Sequence, residues 1–460
     1  MRLALALLIL FAASEAHAQD LPVAQVNWRY EEDWSTLRDH VVKDAPWWLP
    51  AKYQPLTADG KVWVSFGLEA RVRYEGFQGN EWGSADAPDD GYLWLRAMPH
   101  ADLHAGPVRV FVQGIAGYAA GVAGGAGPVD ETGLDLLQGF ADVTLPLGKR
   151  GSLMVRGGRE LVALGSERLI GIRYGPNILQ AFDGWRATAT LHGVKVNLMR
   201  LRPVAIGPSD FDDATDKTRL LTAAYATVPL GLGTDAAFDL YYLDYHRDLG
   251  TFVQGSAEED RHTLGVRFFG TAGDWSWNWE AILQRGRFGD GPIRAWSIAS
   301  ETSRAFPHAP LSPTLRLRAN AVSGDHDPAD PKLGTFNPLF PKGKYFGELS
   351  PIGPYNIVNV HPDVDLHLGR GFSFNIAAVA YWRQSRGDGV YDMPGQIIRE
   401  GSGSGAHYIG TQGEAVLSWE PNAALSMLAS YSIFEPGRFI EETGPARTIH
   451  MVGLETMYRF

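Results

Sequence analysis

From Lys61 to Glu75 the chain reads KVWVSFGLEARVRYE, an unbroken alternation of apolar and polar positions. Extended backbone sends successive side chains to opposite faces, so Val62, Val64, Phe66, Leu68, Ala70, Val72 and Tyr74 share one face. Glu69, Arg71, Arg73 and Glu75 share the other. Strands of soluble sandwiches usually stop after about five or six residues. This run is about twice as long, which suits a tilted strand that crosses a bilayer with lipid on its apolar face and a pore on its charged one.

The same period recurs along the chain. It predicts strands over 61–77, 90–104, 107–118, 135–146, 151–160, 180–192, 193–202, 216–229 and 234–247, then 260–270, 274–287, 291–302, 313–325, 354–369, 371–385, 405–420, 422–434 and 446–460. Short connections such as Ala105-Gly106, Gly193, Ala272-Gly273, Gly369-Arg370-Gly371 and Glu420-Pro421-Asn422 join some pairs tightly. Longer Gly-, Pro- and Asp-rich connections fall at 78–89, 119–133, 161–179, 325–353 and 387–405. One rim is therefore tight and the other elaborate. The fold class expected is all-β: a transmembrane antiparallel β-barrel of about eighteen strands with long extracellular loops and short periplasmic turns.

Residues 1–18 read as an export signal, with Arg2, an apolar core from Leu3 to Ala13, and the small-x-small site Ala16-His17-Ala18. Residues 19–60 do not alternate and read as an N-terminal periplasmic lead-in that packs on or inside the barrel mouth; the barrel takes 61–460. After the signal no apolar run reaches the roughly 18 residues of a spanning helix. The 460-residue chain has no linker that would divide it into soluble domains. It contains no cysteine, so no disulfide framework supports an exported fold. A net charge of −11 argues against nucleic acid as a partner. The final residues, from Ile449 to Phe460, form an amphipathic strand closing on Phe, similar to the assembly signal of bacterial outer-membrane barrels. Outer-membrane lipid and the barrel assembly machinery are the partners this implies.

With the lipid face set by apolar parity, the opposite parity gives the lumen. It carries Glu69, Arg71, Arg73 and Glu75, then Arg96, Met98, His100 and Asp102, and further on Arg156, Arg186, Lys195, Arg267, Arg316 and Arg318. Asp363, Asp365 and His367 follow, then Glu414, Arg447 and Arg459. On this reading guanidinium groups outnumber carboxylates there. Arginine stays charged and presents a fork to carboxylates, so a ring of them makes an anion-selective constriction. Glu69, Glu75 and Asp183 would hold the arginines extended. The same residues also suit ordinary ion pairs that stiffen a barrel. No GxSxG elbow or HExxH helix is present, so no enzymatic activity and no cofactor are expected. The oxygen and imidazole groups of Gly324-Asp325-His326-Asp327 and of 361–367 suggest at most a Ca²⁺-stiffened loop.

Several segments resemble the bacterial alginate export family: Tyr30-Glu31-Glu32-Asp33-Trp34, the strand 67–75, Gly158-Arg159-Glu160, and Phe182-Asp183-Gly184-Trp185-Arg186. So do Gly324-Asp325-His326-Asp327 and the run from Gly334-Thr335-Phe336-Asn337-Pro338-Leu339-Phe340-Pro341 to Tyr345-Phe346-Gly347. The resemblance implies an 18-stranded outer-membrane barrel whose arginine-lined pore passes an anionic polyuronate, with loops gating each end. It carries the family's Gly-Arg-Gln arginine onto Arg159, with Glu160 in place of Gln. It places the first-strand arginines at Arg71 and Arg73, and the Asp-Gly-x-Arg element at Asp183 and Arg186. Strand 422–434 lacks the arginine the family's alginate secretin has there, and a weaker positive ring suits a smaller or less charged solute.

The expected pore-lining residues are thus Arg71, Arg73, Arg96, Arg156, Arg159, Arg186, Arg316, Arg318, Glu69 and Asp183. The expected function is passive passage of an anionic polysaccharide or oligosaccharide through a lumen partly occluded by loops 161–179 and 325–353, with periplasmic polymer-export proteins as further partners. The alternative is a substrate-specific uptake porin for small anions or oligosaccharides.

Overall fold

A computed structural model describes residues 21–460, apart from 22, 40–41, 43–44, 86 and 232–234. The expected export signal lies outside the described residues. Eighteen long strands form one antiparallel sheet. In chain order they are β1 (Val62–Gln78), β2 (Asp90–Ala105), β3 (Val108–Ala120), β4 (Gly133–Pro146), β5 (Gly151–Leu161) and β6 (Ala181–Leu191). Next come β7 (Val194–Ala205), β8 (Arg219–Pro229), β9 (Ala237–Phe252), β10 (Gly255–Ala272), β11 (Trp275–Phe288) and β12 (Gly291–Ala305). The last six are β13 (Thr314–Val322), β14 (Ile357–Gly369), β15 (Phe372–Arg383), β16 (Tyr408–Asn422), β17 (Leu425–Pro436) and β18 (Ile449–Arg459).

Each strand pairs with its neighbour in sequence, and β18 returns to β1 in a register from Glu69↔Arg459 to Gln78↔His450. The sheet is a closed barrel without free edges, which satisfies every ladder hydrogen bond inside hydrocarbon. Leu68 and Phe460 exchange backbone hydrogen bonds of 3.2 and 3.0 Å, carrying the seam to the last residue. No helix among the described residues is long and apolar enough to cross a membrane; the crossing is made by strands.

Side chains follow the expected parity. On β1, Trp63, Ser65, Glu69, Arg71, Arg73 and Glu75 are buried, while Phe66 and Tyr74 on the alternate face are exposed. Leu264, Ile298 and Leu454 are likewise turned outward. These exposed side chains are stable because hydrocarbon is their solvent. Leu95, on the outer face of β2, should therefore tolerate charge badly. Leu95→Arg is expected to lose about 2–4 kcal/mol, the loss seen for a charge near the bilayer midplane, in urea unfolding from lipid vesicles.

β9 and β10 run longer than the alternation predicts, meeting in a two-residue turn at Val253-Gln254. Their outward positions near this turn are Asp244, His246, Glu258, Asp260 and His262 rather than apolar residues. The pairing continues past the lipid band, where the hydrophobic signal stops. The short α1 helix (Arg438–Thr443) sits in the connection before β18.

Two connections fold into the lumen. Residues 162–180 and 323–356 meet through an isolated bridge between Ile170 and Phe340. Phe340 stands edge-on to Phe182 at 5.1 Å and to Tyr245 at 5.8 Å, joining both loops to the wall. From the other rim, the segment before β1 contributes 3₁₀ turns at Arg29–Glu31, Trp34–Arg38 and Leu49–Lys52. Tyr30 enters the lumen, its ring edge-on to Phe111 and Phe140 and its hydroxyl donating to the Leu161 carbonyl at 2.8 Å. The barrel interior on the β1–β7 side is consequently a packed core.

Candidate functional site in the lumen

The lumen is lined by alternate residues of rigid strands, so each charged group's position follows from its parity. Arg71 donates to the carbonyls of Tyr174, Gly175 and Pro176 at 3.2, 3.1 and 2.7 Å and to Asn177 Oδ1 at 3.4 Å. Arg96 donates to the carbonyls of Pro176 and Asn177 at 3.2 and 3.1 Å, and to Glu69 at 2.8 Å. Glu69 also accepts from the Tyr174 hydroxyl at 2.7 Å. Together they clamp the 162–180 loop, mostly through neutral carbonyl acceptors.

Arg73 is held differently. It meets three carboxylates, Glu75 at 2.5 Å, Glu348 at 2.7 Å and Glu455 at 3.0 Å. Glu348 belongs to the 323–356 loop, which Lys344 also braces at 2.6 Å. Further round, Asn337 donates to Glu259 at 3.1 Å and its carbonyl accepts from Gln284 at 2.7 Å. Arg261, ion-paired with Glu259, donates to the Thr335 carbonyl at 3.2 Å. The Gly-Thr-Phe-Asn-Pro segment is thus the foot by which this loop stands on β10 and β11.

Arg156 pairs with Asp142 at 2.7 Å and with Glu160 at 3.1 Å, and Glu160 also takes Arg186 at 2.7 Å. The parity of Glu160 and Asp142 was visible in the sequence, but the expected lumen set omits both. Asp239, Glu280 and Glu301 are further inward carboxylates that pair with Arg267, Arg168 and Arg318. Guanidinium groups therefore do not stand in large excess on this surface; most have a carboxylate in contact.

Arg159 and Asp183 correct the expected pore set. They lie opposite each other on β5 and β6 and pair at 2.9 Å. Asp183 shares the parity of Trp185, which is 47% exposed, whereas Glu160 and Arg186 hold the inward parity. The pair faces outward beneath the 206–218 connection, where Thr215 donates to Asp183 at 2.6 Å and the Asp213 carbonyl accepts from Arg159 at 3.2 Å. The family resemblance implies the lumen for both; strand alternation places them outside.

Water reaches the opposite wall. Side chains of Arg316, Arg318, Glu301 and Asp365 keep 24, 28, 34 and 32% exposure, against 0–1% for Arg71, Arg73 and Arg96. Arg316 bonds Asp363 at 2.9 Å and Asp365 at 3.0 Å, and Arg318 bonds Asp363 at 3.0 Å. In the loop at 324–327, Asp325 accepts backbone N–H groups of Asp327 and Gly334 at 3.0 and 3.1 Å. The groups of three or more side chains with metal-ligand spacing among the described residues lie elsewhere, at His246, Glu258 and Asp260 and at Asp135, Asp212 and Asp213.

Above the clamped loop a vestibule of about 340 Å³ is lined by Glu81, Arg173, Lys342, Lys344, Glu348 and Asp392 among others. Burial, opposed by N–H donors of Gln396 and Gly395, pushes the Asp392 carboxyl up to about 6. A raised carboxyl is charged above that pH and neutral below it. Anion current through the protein should therefore rise as pH falls from 7 to 5, and Asp392→Asn should remove that step in bilayer recordings.

Residues 62–453 match the family described as alginate export. No curated protein matches the chain in sequence. Solved structures with the same fold include outer-membrane proteins of Pseudomonas aeruginosa. OpdK, crystallised with vanillate, is 13% identical, with 86% of this chain and 98% of OpdK covered and a TM-score of 0.55. OccK2 (OpdF) is 13% identical over 86% of this chain and 97% of its own, with a TM-score of 0.56. OccK11 (OpdR) is 15% identical over 86% and 96%, with a TM-score of 0.51. A closed eighteen-strand barrel, an outward apolar face and a family match across most of its length agree: this chain belongs to the alginate export family, a β-barrel channel protein of the bacterial outer membrane.

Proposed function

We propose that the barrel passes an anionic saccharide of the polyuronate type, and that the lumenal arginines act as exchangeable ligands rather than as a ring of free charge. The observation that carries this reading is the clamp. Arg71 meets three backbone carbonyls and reaches its nearest carboxylate, Glu455, only at 3.8 Å. A carboxylate offers the guanidinium fork a full negative charge and two oxygens in matching geometry, where each backbone carbonyl offers one neutral dipole. A sugar carboxylate arriving at Arg71 can therefore displace the loop's carbonyls, opening the path while being held. Arg316 and Arg318, already wetted, continue the track along the opposite wall. Transport on this scheme is passive and involves no catalytic step.

The charge-compensated lumen and the small wetted patch also fit the second reading, uptake of small anions. Flux into liposomes separates the two. Under the first reading uronate oligomers cross faster than neutral oligosaccharides of equal length. Phosphate and single sugars crossing while oligomers of every charge are excluded would overturn it in favour of the second.

A further inference from the structure

The outer surface carries a feature that transport through the lumen does not use. On adjacent strands β11 and β12, Arg285 and Arg294 stand directly opposite each other, both exposed on the outward face. Among the described residues neither has a carboxylate within 4.0 Å; the one hydrogen bond of the Arg285 side chain goes to the Gln284 carbonyl at 2.9 Å. Like charges paired across a ladder repel, so the arrangement is unfavourable unless something anionic bridges it. Arg287 stands two positions further along β11, 3.9 Å from Asp290. His262, opposite Arg285 on β10, is occupied by Asp244 at 3.0 Å.

One cross-strand step toward the membrane centre, Leu283 faces Trp296, and there a groove of about 750 Å³ opens on the lipid side. Ala224 and Ala281 leave room in it between Leu240, Leu264, Leu283 and Ile298. The groove and the arginine pair thus form one site, apolar along the barrel wall and doubly cationic at its upper end. That end lies next to the Gly289-Asp290 turn, on the rim away from the chain termini. A ligand that satisfies both halves carries hydrocarbon chains joined to a group able to take two guanidinium forks. Guanidinium matches phosphate geometry bidentately.

We infer that this outer face binds a phosphorylated lipid of the outer leaflet, its phosphate bridging Arg285 and Arg294 and its acyl chain lying in the groove. The test is native mass spectrometry of the full barrel in detergent with diphosphoryl lipid A or the same lipid stripped of phosphate. The parent should retain the phosphorylated lipid at least tenfold more tightly. Arg285→Glu with Arg294→Glu should abolish that preference, Arg285→Lys with Arg294→Lys should keep most of it, and Ala281→Trp should weaken both lipids by filling the groove. Heat-modifiable gel migration verifies that each variant is folded. Equal retention of the two lipids by the parent, or an unchanged preference in the double Glu variant, would overturn the inference. So would crosslinking from Leu283 to a second copy of the chain in native membranes, since the groove would then be an interface between barrels.

Discussion

A barrel carrying Arg71→Ala and Arg96→Ala should conduct several-fold more current than the parent in planar bilayers, with a weaker preference for anions. The pair of substitutions removes four hydrogen bonds from Arg71 and two from Arg96 to the 174–177 segment. A hydrogen bond to a charged group contributes about 1.5–3 kcal/mol, and every 1.4 kcal/mol is tenfold in an equilibrium. Loss of even one net bond shifts docked against released loop by roughly tenfold to a hundredfold. The docked state suffers twice, because Glu69 stays buried with the Tyr174 hydroxyl but without its guanidinium. The loop keeps Asn177, which donates to the carbonyls of Leu95, Tyr118 and Asp130, the bonds of Ser166 and Arg168 to Glu280, and the packing of Ile172, Ile178 and Leu179. Arg73→Ala is the informative comparison. Its partners are carboxylates, one of them on the other loop, so it should loosen residues 323–356 and leave 162–180 in place. If the double variant conducts like the parent, the clamp does not gate the channel.

The contrast between these two clamps shows where sequence reasoning reaches and where it stops. Alternation located all eighteen barrel strands to within a few residues, because lipid enforces a period of two on every crossing segment. It also put Arg71, Arg73, Arg96, Arg156 and Arg186 on the inner face, since parity propagates along a strand without knowledge of its neighbours. It reaches the strand carboxylates Glu69 and Glu75, which pair with Arg96 and Arg73, but not the loop carbonyls that Arg71 and Arg96 hold. Occlusion by loops 161–179 and 325–353 is legible in their length and place, but Arg71 and Pro176 are 105 residues apart, and no period in the first loop shows which of its carbonyls the wall holds. Glu160 is the instructive residue. It departs from the family's glutamine, and the consequence, a carboxylate shared by Arg156 and Arg186, appears only once β5 lies beside β6. Arg159 shows the opposite case: the motif correspondence implies the lumen, while the strand's own alternation turns it outward with Asp183.

Tyr30→Ala should free the segment ahead of β1 and expose it to protease. The Tyr30 ring lies edge-on to Phe140 at 5.5 Å, with the Arg156 guanidinium 4.6 Å from its centroid. Its carbonyl accepts from Arg109 at 2.5 Å. Truncating a large buried aromatic costs about 3–5 kcal/mol. Where opening is fast, cleavage tracks the open population, so the rate of proteolysis within 27–39 should rise by roughly a hundredfold or more. Tyr30→Phe keeps the ring and loses only the bond to Leu161, about 0.5–1.5 kcal/mol, and should stay within roughly tenfold of the parent. Equal cleavage of the parent and Tyr30→Ala would remove Tyr30 as the anchor. The same substitution tests whether the two ends of the lumen are coupled. Tyr30 packs in one cluster with Ile172, Ile178 and Leu179, all carried by the loop that Arg71 and Arg96 clamp from the other side. Residues in contact do not contribute independently. The combined Tyr30, Arg71 and Arg96 variant should therefore gain less conductance than the product of the separate gains, because either change alone already releases part of the shared core. A strictly multiplicative gain would mean that the mouth segment and the loop open as independent gates.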